Sequence, residues 1–353
     1  MTKTPQPPDK PRTAGRPAAM LRWIIAATAG LLVVISLAWV AAETALDHVL
    51  DRTIPSLHAA GFELAAGRRV RGGWPGSATL RLDAVRLDGP VRTGAPDGTV
   101  HNLTLHWRAE ALVLQASLLH PRSVILIARG TQHVSLGELP ELTLWGDRLA
   151  AYLPWQPRLP MPLPVEARAL HAALGANGPD WITTIADARG SLLFSGGGNL
   201  AVRLSMQAIT LPQAGQHPFG RTIERMTIAA ALPPGLGSPS WPGMEPLLLQ
   251  DLTVEWSALH LRLRGSVHPM PPGGPFPVGQ FSLSVHGVRA ALRAAAGDGD
   301  LSRGEAMALN GLAGLLEQAH DGGAVDTDTL HDLPVLLHDN VLWLGTVPLW
   351  RLG

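Results

Sequence analysis

The chain has 353 residues, 28 basic and 28 acidic side chains, and no cysteine. That length suits one large domain or two smaller ones, and the charge balance excludes the strong basic field of a nucleic-acid binder. Without cysteine there can be no disulfide, thiolate metal site, catalytic thiol or lipid anchor on cysteine.

The balance hides an asymmetry. Residues 1–22 hold Lys3, Lys10, Arg12, Arg16 and Arg22 against Asp9 alone, and the 27 other acids all follow residue 42. Rich in proline and charge, this opening segment predicts a disordered cytoplasmic tail over residues 1–22. Next comes WIIAATAGLLVVISLAWVAA, residues 23–42, which is 20 residues without a charge. At 1.5 Å per residue it spans roughly 30 Å, the hydrocarbon thickness of a bilayer. Trp23 and Trp39 stand near its two ends, where indole rings favour the interface, and the basic side is the N-terminal one. The expectation is a transmembrane helix in the inner membrane, with the N-terminus in the cytoplasm and the bulk of the chain in the periplasm. A cleaved signal peptide is the rival. Its apolar region would be shorter and would not follow a 22-residue polar stretch.

Residues 43–62 continue at helical spacing with Leu46, Val49, Leu50 and Leu57, which predicts a juxtamembrane helix that Pro55 kinks or ends and Gly61 stops. From residue 63 the apolar period becomes two. Leu80 and Leu82 alternate with Arg81 and Asp83, then come Leu103, Leu105 and Trp107, then Leu252, Val254 and Trp256. Such alternation predicts antiparallel strands with one apolar face. The phase slips by one residue near Ala84, Ala208 and Ser257, which calls for bulges or corners. Gly196 to Asn199 reads as a hairpin turn, not a phosphate loop, since no lysine-bearing helix follows. Pro-rich stretches at 154–164, 233–246 and 268–277 read as crossovers outside the strands. A helix is expected at about 303–320 and a terminal hairpin at 333–350, turning at Asp339-Asn340. The fold class expected is therefore mainly β, a long bent antiparallel sheet forming a groove or a sandwich, with a helix at each end.

Residues 294–305, AAAGDGDLSRGE, resemble the end of a calcium loop. Asp298, Asp300 and Glu305 are its weak metal candidates, but the first two ligand positions are Ala294 and Ala296. Ser302 and Glu305 fit a helix capping box better. None of the 14 histidines has zinc spacing, and there is no nucleophile elbow or nucleotide loop. The expectation is a non-enzymatic protein without a cofactor.

Several stretches resemble a bacterial family called domain of unknown function 2125. They are the anchor, RVRGGWPGSATLRLDAVRL, LTLHWRAEALVLQASLLHPRSVIL and the closing LPVLLHDNVLWLGTVPLWRLG. The resemblance implies a location and an architecture, and it carries over no functional residue. In style the architecture is also similar to AsmA-like envelope proteins, whose bent sheets shield acyl chains, an analogy of fold alone. The expected role is envelope maintenance in a Gram-negative cell. The partners would be the inner membrane through residues 23–42 and a lipid, a lipid-linked glycan or an envelope protein. The candidate groove lining is Leu80, Leu82, Leu103, Leu105, Trp107, Leu252, Val254 and Trp256. The alternative is a scaffold whose core closes on itself.

Overall fold

The computed structural model describes residues 16–59, 61–94, 100–117, 123–137, 140–155, 159–175, 181–195, 200–213, 217, 219–232, 246–268, 278–290, 329–339, 341–344 and 347–351. The expected helix at 303–320, the metal candidates Asp298, Asp300 and Glu305, and the Gly196 to Asn199 turn lie outside them.

Helix α1 runs from Arg16 to Ala59 without interruption. It contains a stretch long and apolar enough to cross a membrane, with Leu31, Val33, Val34, Leu37 and Val40 exposed. Pro55 falls within its last turns and does not end it. The stop is Gly61, at φ 84°. Its N–H donates to His58 O at 2.9 Å, and the Phe62 N–H donates to Leu57 O at 2.8 Å. This pairing, with glycine in the left-handed position, uses up the last carbonyls of the helix.

Most of the other described residues are strand, as the period of two predicts. The short β1 (Glu63–Ala65) and β2 (Arg69–Gly72) both pair with β3 (Ser77–Gly94). There follow β4 (Val100–Ser117), β5 (Ser123–Leu136), β6 (Leu142–Trp145), β7 (Arg148–Pro154) and β8 (Met161–Leu174). After these come β9 (Thr183–Phe194), β10 (Leu200–Thr210), β11 (Thr222–Leu232), β12 (Leu247–Trp256) and β13 (Leu259–His268). The chain closes with β14 (Val278–His286), β15 (Thr329–His338), β16 (Val341–Leu344) and β17 (Val347–Arg351). Every pairing is antiparallel. β6 and β7 lie end to end between β5 and β8, and otherwise each strand from β3 onward pairs with the next. The result is one long meander. β15 pairs His338 with Val341, so their connection is two residues long, and its first residue, Asp339, is left-handed at φ 52°.

One expectation is corrected. The Pro-rich stretch 154–164 is not wholly a crossover, because Met161 to Pro164 belong to β8 and pair with β9. β7 meets β8 only from Val165 onward. Pro162 and Pro164 have the same parity and so turn their missing N–H groups to the same side. That side is free of ladder bonds, which is where a strand tolerates proline.

The phase slips take a definite form. Ala84, Ala169 and Ala208 are left-handed inside strands, at φ 50°, 46° and 49°, and Ser257 is left-handed in the β12–β13 turn, at φ 53°. Pairing holds on both sides of each of the three alanines. Asp83 faces Ala111 and Val85 faces Ala109, so Ala84 stands across from Glu110. In the same way Ala169 and Ala208 each stand across from Ala186, and Ala208 also faces Glu224. On β5 the matching point is Gly130, at φ 72°, where the register shifts against β4. These residues form a crease that crosses the sheet from β3 to the β12–β13 turn. Each left-handed residue resets the alternation, so the apolar side chains before and after it share one face. Two carboxylates take up backbone donors along the crease: Thr131 N–H donates to Glu110 at 3.0 Å and Ser257 N–H to Glu224 at 2.8 Å.

Candidate functional site

The registers assemble a continuous apolar row across the meander. It begins with Leu82, Leu112, Ala128, Leu149, Ala167 and Ala188, each paired with the next. It continues through Met206, Met226, Val254, Leu261, Val285 and Leu330. A parallel row two residues away starts with Leu80, Leu114 and Leu126 and includes Leu204, Ile228 and Leu252. Burying such rows stabilises the fold by roughly 25 cal/mol for each Å² of apolar surface removed from water.

Different partners cover this face along its length. At the β3 end α1 lies on it. Leu46 and Leu50 pack with Leu80, Leu82, Val85 and Leu114, and Leu46 and Leu82 are wholly buried. At the other end the inward side chains pack on one another, around Ile209, Ile223 and Val254 and then around Leu259, Val285 and Leu330. Between them lies an open trough of about 390 Å³. Its lining includes Trp107, Leu112, Leu126, Leu149, Leu204 and Met206, together with Ala128, Ala151, Ala167 and Ala188. On its floor Ala167 and Ala188 stand at the same level on neighbouring strands, and their small side chains leave the space above them open. Its volume lies in the ordinary range of small-molecule sites, roughly 300–1,000 Å³.

Of the groove residues predicted from sequence, Trp107 lines the trough. Leu80 and Leu82 lie under α1. Leu252, Val254 and Trp256 join the cluster beyond the trough, where Trp256 donates from Nε1 to Gly220 O at 2.8 Å and meets Phe219 edge-on. Leu105 is half-buried on β4, and Leu103 is described only as part of that strand's backbone. The alanines of the floor carry no mark of their own in the sequence. They alternate in ARALHAAL and IADARG, but in an alanine-rich chain they do not stand out as a floor.

Charge lies almost entirely off this face. Among the described residues Glu166 is the sole ionisable one along the trough lining, and it alternates with Val165 and Ala167. Its carboxylate accepts from Tyr152 Oη at 2.6 Å and pairs with Arg148. Burial first, and the Glu166 carboxylate second, push the Tyr152 hydroxyl above its usual range. Asp251 on β12 accepts from Arg262 Nε at 2.6 Å, with Arg264 at 3.3 Å. The Arg262 bond, opposed by partial burial, holds the Asp251 carboxyl below the usual range. Gln132 is buried on β5 across from Ala109, and its Nε2 has no hydrogen-bond partner.

His331-Asp332 and His338-Asp339, two His-Asp pairs near the C-terminus, engage different partners. Asp332 accepts from Ser282 Oγ at 2.7 Å, while His338 stacks on Trp343. Among the described residues no three His, Asp or Glu side chains are grouped to hold a metal.

A membrane-length helix that runs onto an antiparallel sheet with one apolar face defines a helix-led β-trough protein. The chain belongs to the family described as an uncharacterized protein conserved in bacteria (DUF2125), whose model matches residues 39–352. No curated protein and no solved structure matches it.

Proposed function

We propose that this is a membrane-anchored, non-enzymatic protein of the bacterial envelope that holds an acyl chain of a lipid or lipid-linked glycan in its trough. Residues 23–42 of α1 would cross the inner membrane, with the basic residues 1–22 in the cytoplasm and the sheet in the periplasm of a Gram-negative cell. The observation that carries the reading is the open middle of the apolar rows. A strip of Leu, Met and Trp over an alanine floor offers apolar contact to an alkyl chain along its length, and the Glu166 carboxylate beside it is engaged by Tyr152 and Arg148. Open apolar surface of this kind marks a binding site more often than an idle one. The test is native mass spectrometry of the full chain extracted from membranes. A bound species of lipid mass supports the reading, and a bare chain under gentle extraction contradicts it.

A second reading is a scaffold with a closed core. It draws on α1, which already converts the β3 end of the strip into ordinary core through Leu46 and Leu50. The same spectrum separates the two, because a scaffold carries no lipid.

A further inference from the structure

We propose that the edge of the sheet nearest α1 rests on the bilayer, with Trp74 at or just below the level of the lipid headgroups. This interaction surface rests on reading residues 23–42 as the span. Two hydrogen bonds fix its height. Trp39 Nε1 donates to Ser77 O at 3.0 Å, and Trp74 Nε1 donates to Ser36 Oγ at 3.3 Å. The β2–β3 turn, Gly73 to Gly76, is thereby tied to α1 at residues 36–39, inside the uncharged run and not beyond it. With a rise of 1.5 Å per residue, Ser36 lies about 9 Å before Ala42. A headgroup layer is roughly 5–8 Å thick on each side of the hydrocarbon. The turn therefore cannot stand clear of a membrane that α1 crosses.

Its chemistry fits that depth. Trp74 is 52% exposed although large and apolar, and an indole with a polar N–H favours the interface. The turn is held in shape by its own backbone. Ser77 N–H donates to Gly73 O at 3.0 Å, and a side chain at Gly73 would strike Ser77 O at 2.5 Å. The ion pairs Arg71 with Asp47 and Arg69 with Asp51 lie farther along α1, on the water side.

The meander extends this edge sideways. It collects the start of β3, the end of β7, the start of β8 and the end of β9. Leu159, just before β8, is 63% exposed, and Leu193, next to the end of β9, is 39% exposed. Leu248 and Leu336 are exposed near the corresponding ends of β12 and β15. On the opposite edge only Leu174 and Trp181 are large, apolar and exposed among the described residues.

The chain's lack of cysteine makes a direct test simple. Single cysteines are placed at Gly76, Leu159, Leu174 and Val33 of the full chain and carry a nitroxide spin label. A side chain at Gly76 meets nothing within 4 Å, so Gly76→Cys leaves the turn and Trp74 in place. Leu159→Cys gives a second, independent position. The protein is reconstituted in vesicles of phosphatidylethanolamine and phosphatidylglycerol. Relaxation by oxygen, which enters lipid, is compared with relaxation by a water-soluble nickel chelate. The expected oxygen-to-nickel ratio is highest at 33 and lowest at 174, with 76 and 159 several-fold above 174. Positions 76 and 159 matching 174 while 33 lies in lipid would overturn the docking and leave the span standing. An aqueous ratio at 33 would remove the span, and the docking with it.

Discussion

At the scale of the residue, the crease is where local preference and fold disagree. An L-residue with a Cβ in the left-handed region costs roughly 1–2 kcal/mol, and Ala84, Ala169 and Ala208 all occupy it. Ala208 is exposed, so a substitution there tests the backbone without disturbing a core. Ala208→Val should lower stability by about 1–2 kcal/mol in thermal unfolding, while Ala208→Gly should stay within about 1 kcal/mol of the parent. Gln132 makes the opposite case. Its buried Nε2 lacks a partner, so Gln132→Leu should raise the thermal midpoint, by about 1 kcal/mol in free energy. A fall would mean that the amide is satisfied in solution.

Asp251 supplies the pH dependence. Its folded pKa is depressed, so its contribution is present above the unfolded value and is lost as pH falls through the folded one. Parent and Asp251→Asn should therefore differ at pH 7, by at most about 1 kcal/mol for a partly exposed pair. They should converge below the usual aspartate range. A gap that persists in acid would exclude the arginine pairing as its cause.

At the scale of the element, α1 does two jobs with one uninterrupted helix. Its first apolar part faces outward from the molecule, and its later part turns Leu46 and Leu50 onto the sheet. Leu46→Ala should cost about 2–5 kcal/mol, as for other large-to-small changes at buried sites, and chemical denaturation of the full chain in detergent would read it. A loss below 1 kcal/mol would show that α1 lies loosely on β3. Much of this was legible in the sequence. The change of period at residue 63 located the strands, and the slips at Ala84, Ala208 and Ser257 located the crease. The role of Gly61 followed from its place after the helix. Proline in β8 was not legible, because a Pro-rich run does not say which side of a strand lacks a partner. The alanine floor was hidden for a related reason. A small residue signals a cavity only when its neighbours on adjoining strands are known, and those pairings are long-range.

At the scale of the whole molecule, the meander puts one apolar face along the whole sheet and leaves three fates for it. The helix covers one part, the inward side chains close another, and the trough stays open between them. Sequence periodicity predicts such a face without saying which part is covered, since the cover depends on how α1 docks and how tightly the sheet bends at the crease. What fills the trough separates a lipid-holding protein from a scaffold. Ala167 and Ala188 face each other across β8 and β9 on its floor. Ala167→Trp should fill the space while leaving the α1 contacts intact. The direct measurement is the amount of lipid retained per chain in native mass spectra of the parent and of Ala167→Trp, both extracted in the same mild detergent and both folded by circular dichroism. The expected result is lipid on the parent and a several-fold loss on the variant. Equal retention by the two, or none by the parent, would exclude the trough as the lipid site.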